Sequence, residues 1–395
     1  MDASSVLWSN WHEQIKELLA GMHGHQKKTL AFFVLGMVLS GCAVLQRVAE
    51  TLSERGHSLV KMSSIERRLA RFLANERIVV PVIWKQFVAQ VLPYFRGQKL
   101  HFVLDNTPFQ DELTIVYIGL LVHSRVLPLA WAVMPAKTTW EEEQWHIVAR
   151  LLDQITLHLP ETSCTLIADR GLTGMPLVKL CRERGWHYLL RVCQEHTVRR
   201  WMGGKLEKSW KSFGQIILKP GYRWFGQARV WQEETLDTWV SITWEKDYQE
   251  AWILISDEQA GPQRIKQYAW RMRVEATFQD SKSRGWNMEA SWITDRTHLD
   301  RLLLVLFLAL WWTSHLAAAC IHHGQRHRFD RVDRRDKSIF RLGRLWLLDI
   351  LRRAHNRASL RWCLPFQKTN RGWRFALRFS LWRRSGTDKG GHYLL

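Results

Sequence analysis

The chain has 395 residues, an apolar fraction of 46% and 57 Lys+Arg against 37 Asp+Glu, leaving a net charge of +20. The apolar fraction is that of an ordinary globular protein, and the chain is long enough for two or three domains with their own cores, but the charge balance is not ordinary. The charge excess points to a polyanionic partner, nucleic acid first and an anionic membrane surface second. The six cysteines show no C-x-x-C pair and no regular spacing, which argues against a disulfide framework and fits a reducing cytoplasm. The opening twenty residues are mixed and partly acidic, unlike a signal peptide.

Residues 1–95 read as helices, with apolar positions at helical spacing through Leu45, Val48 and Leu52 and again through Leu69, Phe72 and Leu73. The stretch from Leu30 to Leu45 is short for a membrane span and holds Gly36, Ser40 and Gly41. Ser63 and Glu66 have capping-box spacing for a helix starting near Ser64. That helix carries Arg67, Arg68 and Arg71 beside its apolar stripe, either a DNA-facing surface or a solvated basic one.

From Lys99 the pattern changes to strands: Leu100 to Leu104, ending at Asp105, then Thr114 to Val122 and Val126 to Val133 as an antiparallel meander. Thr139 and Glu142 are placed to cap a helix running to about Leu159. A short strand from Cys164 to Ala168 ends at Asp169. A helix from Met175, stopped by Gly185, and a strand from His187 to Val192 complete the series. This is the element order of a ribonuclease-H-like α/β domain, a mixed sheet flanked by helices. Residues 195–255 are rich in Trp and Gly, with short alternating runs (Gln215 to Leu218, Ala228 to Trp231, Trp239 to Trp244, Ala251 to Ile255), and read as a β-rich insertion. Pro262 opens a helix expected to reach about Ser283. An apolar helix from Leu302 to Ile321 follows, interrupted by Thr313, Ser314 and His315 and read as buried core rather than membrane span. Cys320, His322, His323 and His327 match no common zinc-finger spacing and read as basic surface.

The expected organisation is therefore a helical DNA-binding region (1–95), a catalytic domain (96–194 and 256–322), a β insertion (195–255) and a basic C-terminal region (323–395) for DNA binding or dimerisation. That last region holds Arg352, Arg353, Arg357, Arg361, Arg383 and Arg384. Of the 23 tryptophans, those of the insertion could stack on unpaired bases, each stack contributing ~1–3 kcal/mol, although most must be core.

Asp105 and Asp169 each end an expected strand, in the phrases Val-Leu-Asp-Asn-Thr and Ile-Ala-Asp-Arg-Gly. If the first and fourth strands are neighbours, the carboxylates converge at one sheet edge, where crowding calls for a cation between them. Oxygen donors of this kind suit Mg²⁺. On the helix after Pro262, Tyr268, Arg271, Glu275 and Lys282 fall within roughly 60° of one face at about 100° per residue. One carboxylate for metal is thus flanked by two cations and a phenol suited to phosphate.

The spacing Y-x2-R-x3-E-x6-K resembles the signature of bacterial transposases of the insertion-sequence-four family, and Asp105-Asn-Thr and Asp169-Arg-Gly resemble that family's first two acidic motifs. The likeness covers roughly residues 60–345, β insertion included. It implies a DDE transposase in which Asp105, Asp169 and Glu275 are catalytic ligands for two Mg²⁺ ions, with Mn²⁺ an acceptable substitute. Tyr268, Arg271 and Lys282 would contact DNA phosphates. It further implies double-stranded DNA, terminal inverted repeats and target DNA as partners, a homodimer in the synaptic complex, no membrane, and a cytoplasmic, nucleoid-associated location. Two alternatives stay open: a domesticated, non-catalytic DNA-binding protein, and a metal-dependent nuclease that cuts without strand transfer. The presence of all three carboxylates weighs against the first.

Overall fold

The computed structural model describes residues 3–19, 21–54, 60–122, 125–136, 143–282, 285–353, 364–369 and 372–375. The chain divides into two compact units, Phe95–Thr277 and Met1–Tyr94 with Phe278–Leu395.

In the Phe95–Thr277 unit the first strands are β1 (Leu100–Phe109), β2 (Leu113–Val122) and β3 (Arg125–Pro135). β2 and β3 are almost continuously apolar and buried, the pattern of strands covered on both faces. Helix α6 (Glu143–Thr156) packs on β3, and its Ile147, Val148, Leu151, Leu152 and Ile155 are buried at helical spacing. Next come β4 (Cys164–Ala168), α7 (Met175–Glu183) and β5 (His187–Arg191). β1, β4 and β5 run parallel in that spatial order, whereas β1, β2 and β3 pair antiparallel. The result is a mixed sheet flanked by helices, consistent with a ribonuclease-H-like architecture.

The insertion contributes β6 (Thr197–Met202), β7 (Lys205–Leu206), β8 (Lys211–Ser212), α8 (Phe213–Ile216), β9 (Arg223–Val230), β10 (Leu236–Thr243) and β11 (Trp252–Ser256). It does not build a separate sheet. β11 pairs antiparallel with β5, so the order continues β3-β2-β1-β4-β5-β11-β10-β9-β6-β7, with β8 beside β6. The strand expected from Gln215 to Leu218 is instead the short helix α8. The Gln215 backbone N–H donates to the Ser212 hydroxyl at 3.3 Å while the Gln215 side chain accepts from Ser212 N at 2.9 Å, a capping box that outweighs the β pattern. Among the seven tryptophans of the insertion only Trp201 is exposed, at 38%.

Beyond β11 the helix expected as one piece is broken. α9 (Pro262–Ala269) gives way to a 3-10 turn at Trp270–Met272 and then α10 (Arg273–Ser281). A uniform 100° per residue therefore does not hold between Tyr268 and Glu275, because a 3-10 turn winds more tightly.

The second unit gathers helices α1 (Ala3–Leu18), α2 (Gly24–Ser40), α3 (Leu45–Glu54), α4 (Met62–Leu73) and α5 (Val80–Val91) around α11 (Arg296–His322), with α12 (Ile339–Arg353) and the hairpin β12 (Phe366–Thr369) and β13 (Gly372–Phe375). Residues 278–322, grouped from the sequence with the carboxylates, thus cluster with the N-terminal helices. The reason is α11 itself. It is apolar all round, α2, α4, α5 and α12 pack on it, and 94% of its most apolar window is buried. It is long and apolar enough to cross a membrane, but its surface is already covered by protein. Buried Arg301, 6% exposed, donates to the carbonyls of Leu73 at 2.7 Å and Ile78 at 3.3 Å, so it satisfies the open end of α4.

The capping box at Ser63 and Glu66 does not form. α4 starts at Met62 with Lys61 as its N-cap, and no side chain caps it, because Ser63 already lies within the first turn. The cap expected at Thr139 and Glu142 lies outside the described residues, as do Arg357, Arg361, Arg383 and Arg384.

Candidate active site

Asp105 does not end its strand. β1 continues to Phe109 along β2, with Asp105 opposite Tyr117, but its pairing with β4 stops at Leu104 opposite Ala168. Asp105 and Asp169 are the next residues in register, so two parallel neighbours deliver a carboxylate each to the same sheet edge. Each is steadied by a backbone donor, Asn106 N to Asp105 Oδ1 at 2.9 Å and Arg170 N to Asp169 Oδ1 at 2.8 Å.

Below them Ile167, Leu189, Leu254 and Tyr268 form a buried apolar cluster, with Trp252 and Ile265 packed against it. This cluster seats α9 on the sheet and fixes where its polar groups reach. The Tyr268 hydroxyl donates to Asp169 Oδ1 at 3.0 Å. Arg271, buried at 7% exposure, donates through Nη2 to Asp169 Oδ2 at 3.0 Å and through Nη1 to Asp105 Oδ2. One guanidinium therefore bridges both carboxylates.

Glu275 is exposed on the first turn of α10. Val126 N donates to Thr277 Oγ1 at 3.1 Å, which ties that turn to β3. Glu275 is close enough for its charge to raise the pKa of Asp105. Lys282 follows the end of α10, in the other unit, and pairs there with Glu289 at 3.4 Å. Of the expected N-terminal cations, Arg67 and Arg71 are exposed. Arg68 is drawn inward, donating to Thr29 Oγ1 at 3.1 Å and lying over the Phe32 ring.

The carboxylates titrate differently. Burial raises the pKa of Asp105, and the nearby Asp169 and Glu275 add to that, against the pull of Arg271. Burial would raise Asp169 too, but Arg271, the Arg170 N–H, Arg191 and the Tyr268 O–H together hold it below the ordinary value. Burial also pushes the Tyr268 phenol well up, so it stays protonated and acts as a donor.

Two members of this constellation escaped the sequence reading. Arg191, at the end of β5, approaches Asp169 at 3.6 Å and binds Glu250 at 2.6 Å; Arg170 binds the other Glu250 oxygen at 2.7 Å. Arg191 was in principle legible, since β5 is the next parallel strand and its end reaches the same edge. Glu250, in the approach to β11, carries no pattern that marks it.

Among the described residues no three His, Cys, Asp or Glu side chains are drawn together tightly enough to form a metal cage, the Cys320–His327 segment included. At the sheet edge the Arg271 guanidinium stands between the two aspartates. The donors are oxygen only, which suits a hard divalent cation in chemistry, and a cation bound by both aspartates would take the place that the guanidinium holds.

Residues 120–312 match the family model of the transposase DDE domain. The match takes in Asp169, Tyr268, Arg271, Glu275 and Lys282 and begins after Asp105. It supports a DDE transposase, with transposase activity in general and DNA as the implied partner; enzymes of this class generally use divalent metals. No curated protein matches the chain.

Proposed function

We propose that the chain is a DDE transposase of the insertion-sequence-four type, which cuts at the ends of its element and joins them to target DNA. The observation that supports this most is the delivery of Asp105 and Asp169 by adjacent parallel strands to one guanidinium, within electrostatic reach of Glu275. Asp105, Asp169 and Glu275 would hold two Mg²⁺ ions, or Mn²⁺, which supply activation of an oxygen nucleophile and relief of charge on the leaving oxygen. Asp169, held below the ordinary carboxylate range, stays anionic at neutral pH. Tyr268 is not a nucleophile in this reading; its raised pKa keeps the proton that it donates. Arg271 has a delocalised charge and several donors, and together with Tyr268 and Lys282 it serves to hold DNA phosphates. Exposed Arg67 and Arg71 are assigned to DNA binding on the N-terminal helices, whereas Arg68, engaged with Thr29 and Phe32, is assigned to packing there; the segment from 323 onward is assigned to DNA binding or dimerisation. The partners are double-stranded DNA with terminal inverted repeats, target DNA and a second copy of the chain.

The test is incubation of the full chain with Mg²⁺ and DNA bearing the flanking inverted repeats, beside Glu275→Ala and Asp169→Asn, with products resolved on a denaturing gel. Metal-dependent 3′-OH ends and joined strands, lost in both variants, are expected. Cutting without joining would favour a nuclease. Binding with no cleavage in any divalent metal would leave a DNA-binding protein.

A further inference from the structure

We infer that Glu250 is a positioning residue for the proposed strand-transfer reaction: it clamps Arg191 and Arg170 beside Asp169 as a pair of guanidinium groups set to receive a DNA phosphate. The inference rests on the transposase reading.

Three observations lead to it. Glu250 uses its two oxygens on different arginines, Oε1 on Arg191 Nη2 at 2.6 Å and Oε2 on Arg170 Nη1 at 2.7 Å. Both arginines adjoin Asp169. Arg170 is the next residue in the chain, and Arg191 reaches across from β5 with Nη1 at 3.6 Å from Asp169 Oδ1. Finally, the clamp comes from the returning end of the insertion, where residue 250 leads into β11.

A single carboxylate shared by two guanidinium groups leaves a net positive pair, and each guanidinium keeps further N–H donors in a fixed planar fork. Such a fork recognises phosphate oxygens by paired, charge-assisted hydrogen bonds, which lose strength quickly when the geometry slips. Arg191 is largely buried, with its side chain 12% exposed, so its direction is set by its partners. Arg170 is about half exposed; without Glu250 it would be a mobile surface side chain. Glu250 therefore turns a mobile arginine and a buried one into a defined pair at the edge that carries the catalytic carboxylates.

Positioning and simple electrostatics predict opposite signs. Glu250→Gln removes a negative charge next to a polyanion, so electrostatics alone would tighten DNA binding and leave turnover unchanged or faster. A positioning role instead lowers turnover while DNA affinity stays equal or rises. The experiment uses the full chain and end-bearing DNA with Mg²⁺. It measures single-turnover cleavage rate and DNA affinity separately for wild type, Glu250→Gln, Arg191→Ala and the double variant, with melting curves to establish that each is folded. Glu250→Gln is expected to cut about tenfold more slowly without weaker binding, and the double variant to be no slower than Arg191→Ala, since the two act as a unit. Wild-type rates in Glu250→Gln, or additive losses in the double variant, would overturn the inference while leaving the transposase reading intact. A wild-type chain that cuts no DNA would overturn both.

Discussion

Arg271→Ala would leave Asp105 and Asp169 side by side with no cation between them. Removing one member of a buried ion pair costs ~3–5 kcal/mol, and the lower end, about 3 kcal/mol, is expected because Asp169 keeps some contact with solvent. Arg271→Lys keeps the charge but loses the two-pronged reach, so it should fall between the variant and wild type. Urea unfolding at pH 7 measures this, and an Arg271→Ala chain as stable as wild type would contradict the bridging role. A second residue-scale effect depends on pH. Burial, helped by the charge of Lys99, lowers the His101 pKa to about 4; its ring lies 3.2 Å from the Gln267 amide and 5.2 Å from the Trp270 ring. Between pH 6.5, the model-peptide value, and about 4, the unfolded chain takes up a proton at this site that the folded chain refuses. More protons on the unfolded state means stability rising with pH, so the His101 contribution is complete above pH 6.5 and is lost as pH falls toward 4. His101→Gln is expected to flatten the difference in unfolding midpoint between pH 7 and pH 4.5; an unchanged difference would remove His101 as its source.

At the scale of elements, the packing of α12 on α11 depends on Gly343. A Cβ there would be driven into the Thr313 carbonyl, which is backbone and cannot swing aside. Gly343→Val should therefore separate the two helices and cost ~1–3 kcal/mol of overpacking, read as a lower melting temperature by circular dichroism. The strands and the helix opened by Pro262 were legible because each is local: alternation and a proline at a first turn leave marks within about ten residues, whereas the pairing of β1 with β4 followed only from the element order of a ribonuclease-H-like domain. What was not legible depends on partners far along the chain. Nothing around Asp105 shows that β2 carries β1 past the point where β4 stops. Nothing in 195–255 shows that its strands extend the main sheet, because that is decided by three residue pairs between β11 and β5. The stripe from Tyr268 to Lys282 was drawn on an ideal helix, and the 3-10 turn at Trp270–Met272 lies inside it. Tyr268 and Arg271 still meet Asp169 together, since residues three apart share a face in either helix type.

For the molecule as a whole, the excess of 57 basic over 37 acidic side chains should appear as steep salt dependence of DNA binding. Each phosphate neutralised contributes about −0.9 to the slope of log affinity against log salt, so the slope counts contacts that no single structure of the free chain can. Exposed and buried arginines must then behave differently. Arg67 and Arg71 are exposed on α4, whereas Arg68 is engaged with Thr29 and Phe32. If α4 meets DNA, replacing Arg67 and Arg71 together by Ala should reduce the slope by about 2 and leave the melting temperature near wild type. Arg68→Ala should do the reverse, lowering the melting temperature through lost packing and barely altering the slope. Titrations at four salt concentrations separate these cases. An unchanged slope in the double variant would mean that α4 turns only a solvated face outward, and that the phosphate contacts are made by other basic side chains.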